Sequence, residues 1–390
     1  MKNHQEYITI LGHKLGRQPH VSFGIRQPDR LFHQYIIGQT GTGKSTLLRN
    51  MMIQDAANSQ GFCLIDPHGD LAEAVRANVD CETLYWHTAD PDCPLGYNPL
   101  TYVSSEYRPL VASGLIDTLK KQWADAWGAR MEHLLRYALL ALLDRPQSTL
   151  QDIMPMFLNT SFRKQVVAEV HDGQVKHFWM SEFPKMNYKS AADGVAPIAN
   201  KLGAFLAHPV IRKAVCEPTQ PLRFRQIMDE GQTLIVNLAK GKLGSDVSNI
   251  LGGLIVSSVA HGAYSRQDSQ EQARQPFIFY VDEFHSFTTE ALGIMLSELR
   301  KYRVGIVAAT QFARQVSQEV HEAFLGNVGT ILVFRVGATD AATFSKQFGH
   351  KIPTEPDLVN LPNHEMYIKL MIDGAQCKPF SATTYAHLTR

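Results

Sequence analysis

The chain has 390 residues, 44% of them hydrophobic and 19% charged, with a formal net charge of +1. That composition gives about two or three globular domains with a sizeable core and excludes an intrinsically disordered chain. A charge so near zero also excludes a global basic field, so any polyanion site has to be local.

Five cysteines (Cys63, Cys81, Cys93, Cys216, Cys377) show no C-x-x-C spacing. They argue against a disulfide framework or a zinc site and suit a reducing compartment. The histidines are scattered, and His13, His20 and His133 read as surface or satisfied core residues. A polar start, Met1 to Tyr7, predicts no signal peptide. The most apolar helix candidate, residues 137–143, is flanked by charges. It falls far short of the roughly 20 apolar residues of a membrane span, so no direct span is expected.

In chain order, residues 8–11 and 20–23 predict two short strands, a hairpin turning around Gly12 to Arg17. Tyr35-Ile36-Ile37 then reads as a buried strand and residues 47–53 as a helix. Between them stands Gly38-Gln39-Thr40-Gly41-Thr42-Gly43-Lys44-Ser45-Thr46, with the spacing of a P-loop. Gly38, Gly41 and Gly43 let the backbone turn so that successive N–H groups face phosphate oxygens, at the positive end of the new helix. Lys44 is the expected partner of the β and γ phosphates of ATP, and Ser45 a ligand of Mg²⁺.

Residues 61–65 form a second buried strand, ended by Asp66-Pro67-His68-Gly69-Asp70. Acidic groups at such a strand end lie where open α/β sheets bind ligands, which makes Asp66 a nucleotide-site candidate. A plain turn fits the same residues. Residues 84–87 are a third strand.

From about residue 104 to 224 strand-like runs vanish. Trp127, Met131, Leu134, Leu135, Ala138, Leu139 and Leu142 recur at mostly helical spacing. Further helices are predicted over 150–158, 162–170 and 197–206, with Pro197 in the first turn of the last. Trp123, Trp127 and Trp179 offer stacking faces for bases, but tryptophans on amphipathic helices are mostly core.

The α/β pattern resumes with a strand over 233–238, the loop Ala239-Lys240-Gly241-Lys242-Leu243-Gly244 and a helix over 250–263 with small residues on one side. Phe277-Ile278-Phe279-Tyr280-Val281 runs into Asp282-Glu283, a Walker B pattern. Asp282 would hold the Mg²⁺ shell and Glu283 would act as general base, a pairing that suits hydrolysis of ATP. The strand over 304–309 ends in Thr310-Gln311, a polar pair placed to sense the γ-phosphate. Arg300, after a helix, and Arg335, after a strand over 330–334, are candidates for an arginine finger reaching a neighbouring subunit. A structural ion pair or an exposed end charge fits either one equally. Residues 365–371 and the Asp373-Gly374 turn predict a closing hairpin.

The P-loop, Leu64-Ile65-Asp66-Pro67-His68-Gly69-Asp70, the late Asp282-Glu283-Phe284, Leu299-Arg300-Lys301-Tyr302, Ala309-Thr310-Gln311 and Gly326-Asn327-Val328-Gly329-Thr330 follow in that order. Together they resemble the FtsK/HerA superfamily of RecA-like motor ATPases, most nearly the cytosolic domains of type IV coupling proteins of conjugation systems. The resemblance spans roughly residues 24–385.

It implies an α/β fold, a RecA-like P-loop NTPase domain with a mostly parallel sheet flanked by helices, built from residues 1–103 and 225–390 around an inserted all-α domain, 104–224. It further implies a homo-oligomer, expected as a hexameric ring, that binds ATP between subunits and pumps single- or double-stranded DNA. Gln311 would be the sensor and Arg300 the better finger. The helical domain would meet substrate or a relaxase. Coupling proteins usually carry N-terminal membrane helices and HerA proteins an N-terminal β-barrel; the short lead-in here matches neither. The expectation is a cytoplasmic protein, recruited if at all to the inner face of the membrane by a partner such as a secretion-system ATPase or anchor.

Within that reading Lys240 and Lys242 are candidates to track the DNA backbone, although a solvated turn suits them equally. Two other functions fit the motifs: a HerA-like motor working with a nuclease in DNA processing or anti-phage defence, and an ATP-dependent adaptor that recruits proteins.

Overall fold

The structure, a computed structural model, describes residues 7–16, 21–101, 103–186, 188–349 and 351–386. Its strands in chain order are β1 (Ile8–Lys14), β2 (Val21–Arg26), β3 (Gln34–Ile37), β4 (Phe62–Asp66), β5 (Thr83–His87), β6 (Leu95–Gly96), β7 (Gln220–Pro221), β8 (Thr233–Asn237), β9 (Phe277–Val281), β10 (Val304–Thr310), β11 (Thr330–Val333), β12 (Glu365–Lys369), β13 (Met371–Ile372), β14 (Ala375–Gln376) and β15 (Phe380–Thr383). Eleven of them make one sheet in the order β2-β1-β15-β12-β11-β3-β10-β9-β4-β8-β5.

From β11 to β8 the neighbours run parallel, and every residue of β3, β4, β8, β9, β10 and β11 is buried. Unbroken apolar runs are what a strand covered on both faces requires. On the other side the pairs β11-β12, β12-β15, β15-β1 and β1-β2 are antiparallel. There β12 alternates half-buried and buried residues, the pattern of a strand with one wet face.

Register then decides where the motifs meet. Ile37 pairs with Thr310, Val281 with Ala308 and with Ile65. The loops that follow β3, β4, β9 and β10 therefore leave from one edge of the sheet, the carboxyl edge where such sheets bind ligands.

By its internal contacts the chain divides into two compact units, one of Met1–Tyr85, Phe224–Leu238 and Gly262–Arg390, the other of Trp86–Arg223 and Ala239–His261. The helical unit thus takes in residues 86–103 and 239–261, including most of the helix Ser245–Tyr264, beyond the 104–224 read from periodicity.

The first unit holds a fully buried ion pair. Arg30 donates to both carboxylate oxygens of Asp55, which also accepts from Tyr280 Oη at 2.6 Å and Tyr7 Oη at 2.8 Å. Arg30 further donates to Thr9 Oγ1 at 3.0 Å. Burial alone would depress the guanidinium, but Asp55 and Tyr280 hold its pKa well above the ordinary value. The cluster ties β1, the P-loop helix and β9 together.

The second unit is helical. Helix Ala129–Leu143 buries the expected stripe, Met131, Leu134, Leu135, Ala138, Leu139 and Leu142. Phe178 stacks on Tyr137 at 4.0 Å, and Trp179 Nε1 donates to the Tyr137 carbonyl at 3.1 Å. Trp123 and Trp179 are buried, as the core reading has it, while half-buried Trp127 donates to Glu132. A Cβ on Gly253 would stand 2.6 Å from Thr118 Cγ2, so the small residues of helix Ser245–Tyr264 serve its close approach to helix Arg108–Gln122.

Two local expectations are corrected. Pro197 lies inside helix Tyr188–Leu206, not in a first turn. That helix carries on through the missing N–H at the cost of one intrahelical bond, to the Asp193 carbonyl. Residues 240–243 are one helical turn, Lys240–Leu243, rather than a loop, with Ala239 in the left-handed region before it and Gly244 closing it. Gly12 lies within β1, and Arg17, at the end of the expected turn, and His20, at the start of the expected strand, fall outside the described residues. Among the described residues no helix is long and apolar enough to cross a membrane.

Candidate functional site

β3 feeds the P-loop, and helix Lys44–Ala57 leaves it. Gly43 takes φ +115°, and a Cβ there would come 3.0 Å from His364 Nδ1, so only glycine fits. The loop is braced from several strands. Gly38 N donates to Thr310 O at 3.3 Å, Gln39 N to Arg335 O at 2.8 Å and His364 N to Thr42 O at 2.8 Å. Thr42 Oγ1 donates to Gln39 O at 2.7 Å, so the buried Thr42 acts inside the loop.

A cleft of about 350 Å³ opens on this loop, lined by Thr40, Gly41, Lys44, Ser45 and Thr46. Asp66, Asp282, Glu283 and Gln311 line it from the ends of their strands. Gly38, Gln39 and Gly43 shape the backbone without facing the cleft.

Lys44 donates to the carbonyl of Gly38 and, at 3.0 Å, to that of Gln39. Burial lowers its pKa, against the raising influence of Asp282 and Glu283. Asp282 is pushed up to about 7, first by burial and then by the charges of Asp66 and Glu283, against the Glu283 N–H and Lys44. Asp66 is buried and accepts from the N–H groups of His68 and Ala72, both at 2.9 Å, the second of them in the first turn of helix Asp70–Arg76.

Glu283 and Gln311 meet directly. Gln311 Nε2 donates to Glu283 Oε1, and Gln311 Oε1 accepts from Thr40 Oγ1 at 2.8 Å. This contact fixes which way the Gln311 amide faces. A chain of hydrogen bonds thus runs from the P-loop through Gln311 to the Walker B glutamate.

The two arginines differ in placement. Arg335 is tied within its own chain: Nε to Gln39 Oε1 at 3.3 Å, Nη1 to Leu361 O at 3.1 Å and Nη2 to Asn363 Oδ1 at 2.9 Å. That is the work of a brace on its own P-loop. Arg300 is exposed, lies over the Phe32 ring at 3.5 Å and sits before β10, at the sheet edge opposite Gln311. Seven residues of strand, about 20 Å, separate it from its own cleft. Lys240 is half-buried and Lys242 exposed on their short helix in the helical unit.

Sequence reading missed Arg49 and His285 as site neighbours, whereas His68 and Asp70, which line the cleft, belong to the strand-end group singled out above. Arg49 was legible in hindsight: it is four residues after Ser45 on one helix and so shares its face. Among the described residues no three His, Cys, Asp or Glu side chains gather as a metal cage; the exposed Ser45 and the Asp282 carboxylate line the same cleft, which suits Mg²⁺, an ion bound through one or two protein oxygens together with phosphates and water.

A family model, the type IV secretion-system coupling protein DNA-binding domain, matches residues 19–357. Among solved structures the chain is similar to the plasmid coupling protein TrwB in complex with ADP and Mg²⁺, at 15% identity over 99% of this chain and 96% of that one, TM-score 0.66. It is also similar to TrwB with a non-hydrolysable ATP analogue, at 16% identity over 92% and 86%, TM-score 0.65. VirB4 of Thermoanaerobacter pseudethanolicus is similar at 12% identity over 97% and 96%, TM-score 0.65. At these identities the likeness is one of fold, a RecA-like sheet flanked by helices. No curated protein matched the sequence.

Proposed function

The chain belongs to the family of type IV secretion-system coupling protein DNA-binding domains, and from that premise we propose that it is an ATP-hydrolysing motor that moves DNA in conjugative or mobile-element transfer. The observation that carries this reading is the single cleft in which Lys44, Asp282, Glu283, Gln311 and Thr40 come together. TrwB, of the same fold, has been solved with ADP and Mg²⁺ and with an ATP analogue, which supports ATP as the substrate.

In this reading the Lys44 ammonium exchanges its two loop carbonyls for β- and γ-phosphate oxygens. Glu283 takes a proton from water as the water oxygen bonds to the γ-phosphorus. The bond from that phosphorus to the β–γ bridging oxygen breaks, and ADP and phosphate leave. Gln311, held between Thr40 and Glu283, registers the γ-phosphate. Ser45 and Asp282 would hold Mg²⁺, which supplies charge neutralisation for the phosphates. Arg300, remote from its own cleft, serves the cleft of a neighbouring copy in a ring, expected as a hexamer.

Lys240 and Lys242 contact the DNA backbone, and the helical unit meets the relaxase or other cargo. A partner at the inner face of the membrane recruits the motor from the cytoplasm.

The test is nucleotide binding beside hydrolysis. Glu283→Gln should keep affinity for a fluorescent ATP analogue and lower turnover about 10²- to 10⁴-fold. Turnover at the wild-type rate in that variant refutes the assignment.

A further inference from the structure

We infer that His285 is a positioning residue for Glu283, anchoring the carboxylate oxygen that Gln311 leaves free. Glu283 sits at φ +48°, in the left-handed region that a non-glycine residue seldom adopts, so its side chain leaves the end of β9 in an imposed direction. Its Oε1 accepts from Gln311 Nε2. Its Oε2 lies 3.4 Å from His285 Nδ1. The same Nδ1 lies 3.4 Å from Thr310 Oγ1, and the other ring nitrogen 3.4 Å from Ser286 Oγ. The Glu283 and His285 side chains are only 12% and 19% exposed, so little water competes for these contacts.

Thr310 ends β10 and Gln311 follows it. Both oxygens of the carboxylate are therefore held from the end of one strand, Oε1 by Gln311 and Oε2 through a ring that Thr310 helps to place. This matters because the last torsion of a glutamate is broad, with no deep staggered well. One anchor lets the carboxylate plane swing about it; two fix the plane and the lone pair that receives the proton. Contacts near 3.4 Å are long for hydrogen bonds, as catalytic contacts often are before the reacting complex forms.

The inference rests on Glu283 as general base, and its test separates the two. His285→Ala, His285→Asn and His285→Gln are made in the full chain, and kcat, KM for ATP, affinity for a fluorescent nucleotide and thermal unfolding are measured for each. The amide nitrogen of Asn falls where Nδ1 stands, and that of Gln where Nε2 stands. His285→Ala should lose about 10- to 100-fold in kcat with KM and nucleotide affinity unchanged, the scale of a misplaced reacting group. His285→Asn should recover most of the loss and His285→Gln little of it. A residue that merely filled space would show no such preference, and the Asn–Gln comparison stands even if the Ala variant fails to fold.

Wild-type kcat in His285→Ala beside an inactive Glu283→Gln overturns this inference alone, as does equal rescue by Gln. An active Glu283→Gln overturns the general-base reading and this inference with it.

Discussion

Replacing His33 by Asn should weaken the fold at neutral pH and cost almost nothing at pH 5. His33 is 2% exposed, its Nε2–H donates to the Leu296 carbonyl at 2.8 Å and its Nδ1 accepts from Ile306 N at 3.1 Å. The Leu296 carbonyl is one of the last four of helix Glu290–Leu299, which have no partner within the helix. Asn tolerates the left-handed φ of +63° here and can still accept from Ile306. The Leu296 carbonyl loses its donor, at a cost of about 2 kcal/mol.

Burial, opposed by the Leu296 carbonyl and aided by the charge of Arg300, lowers the His33 pKa to about 4. The folded protein thus binds fewer protons here than the unfolded chain, so its stability falls as pH drops from 6.5 towards 4. Between pH 7.5 and 5 this amounts to about 1.5 pK units, or about 2 kcal/mol, and the Asn variant escapes it. Urea unfolding of both proteins at both pH values gives the double difference, in which other titrations, His261 with its pKa of about 4 among them, cancel. The stability gap should close by about 2 kcal/mol at pH 5; a gap unchanged within about 0.5 kcal/mol refutes the reasoning.

Other outcomes follow from the same geometry. Arg30→Met leaves the Asp55 carboxylate buried without its cation and should cost about 3–5 kcal/mol, read as a lowered unfolding midpoint, much of it restored by Asp55→Leu in the same chain. Lys240→Ala with Lys242→Ala should abolish stimulation of hydrolysis by DNA and leave the basal rate intact. Arg300→Ala should be inactive alone yet regain partial turnover when mixed with Glu283→Gln subunits, which carry Arg300 but no base. Arg335→Ala, a brace on its own P-loop, should instead weaken nucleotide binding and gain nothing from mixing.

The parallel core was legible because burial on both faces demands long apolar runs, and Ile36, Leu64, Tyr280 and Val307 sit in such runs. The P-loop and Asp282-Glu283 were legible for a second reason, that phosphate and metal chemistry constrains residue type at fixed spacing. What escaped depends on groups distant in sequence. Arg335 read equally as a finger or as a structural charge, and its bonds to Gln39, Leu361 and Asn363 were not legible because no local pattern marks a guanidinium as already engaged. The Thr40–Gln311–Glu283 chain joins three strand ends that only sheet register brings together. Pro197 misled because a first-turn position is its usual place in a helix, whereas tertiary packing carries helix Tyr188–Leu206 through it. The turn Lys240–Leu243 was hidden by Gly241, which reads as a loop breaker.

The central claim is an ATPase whose site is completed between copies and driven by DNA. Its most direct test is the steady-state rate of ATP hydrolysis against protein concentration, with and without single- and double-stranded DNA, beside Glu283→Gln. A rate per subunit that rises steeply with concentration, rises again with DNA and vanishes in the variant is what the account predicts. A rate per subunit that is flat in concentration and indifferent to both forms of DNA contradicts it.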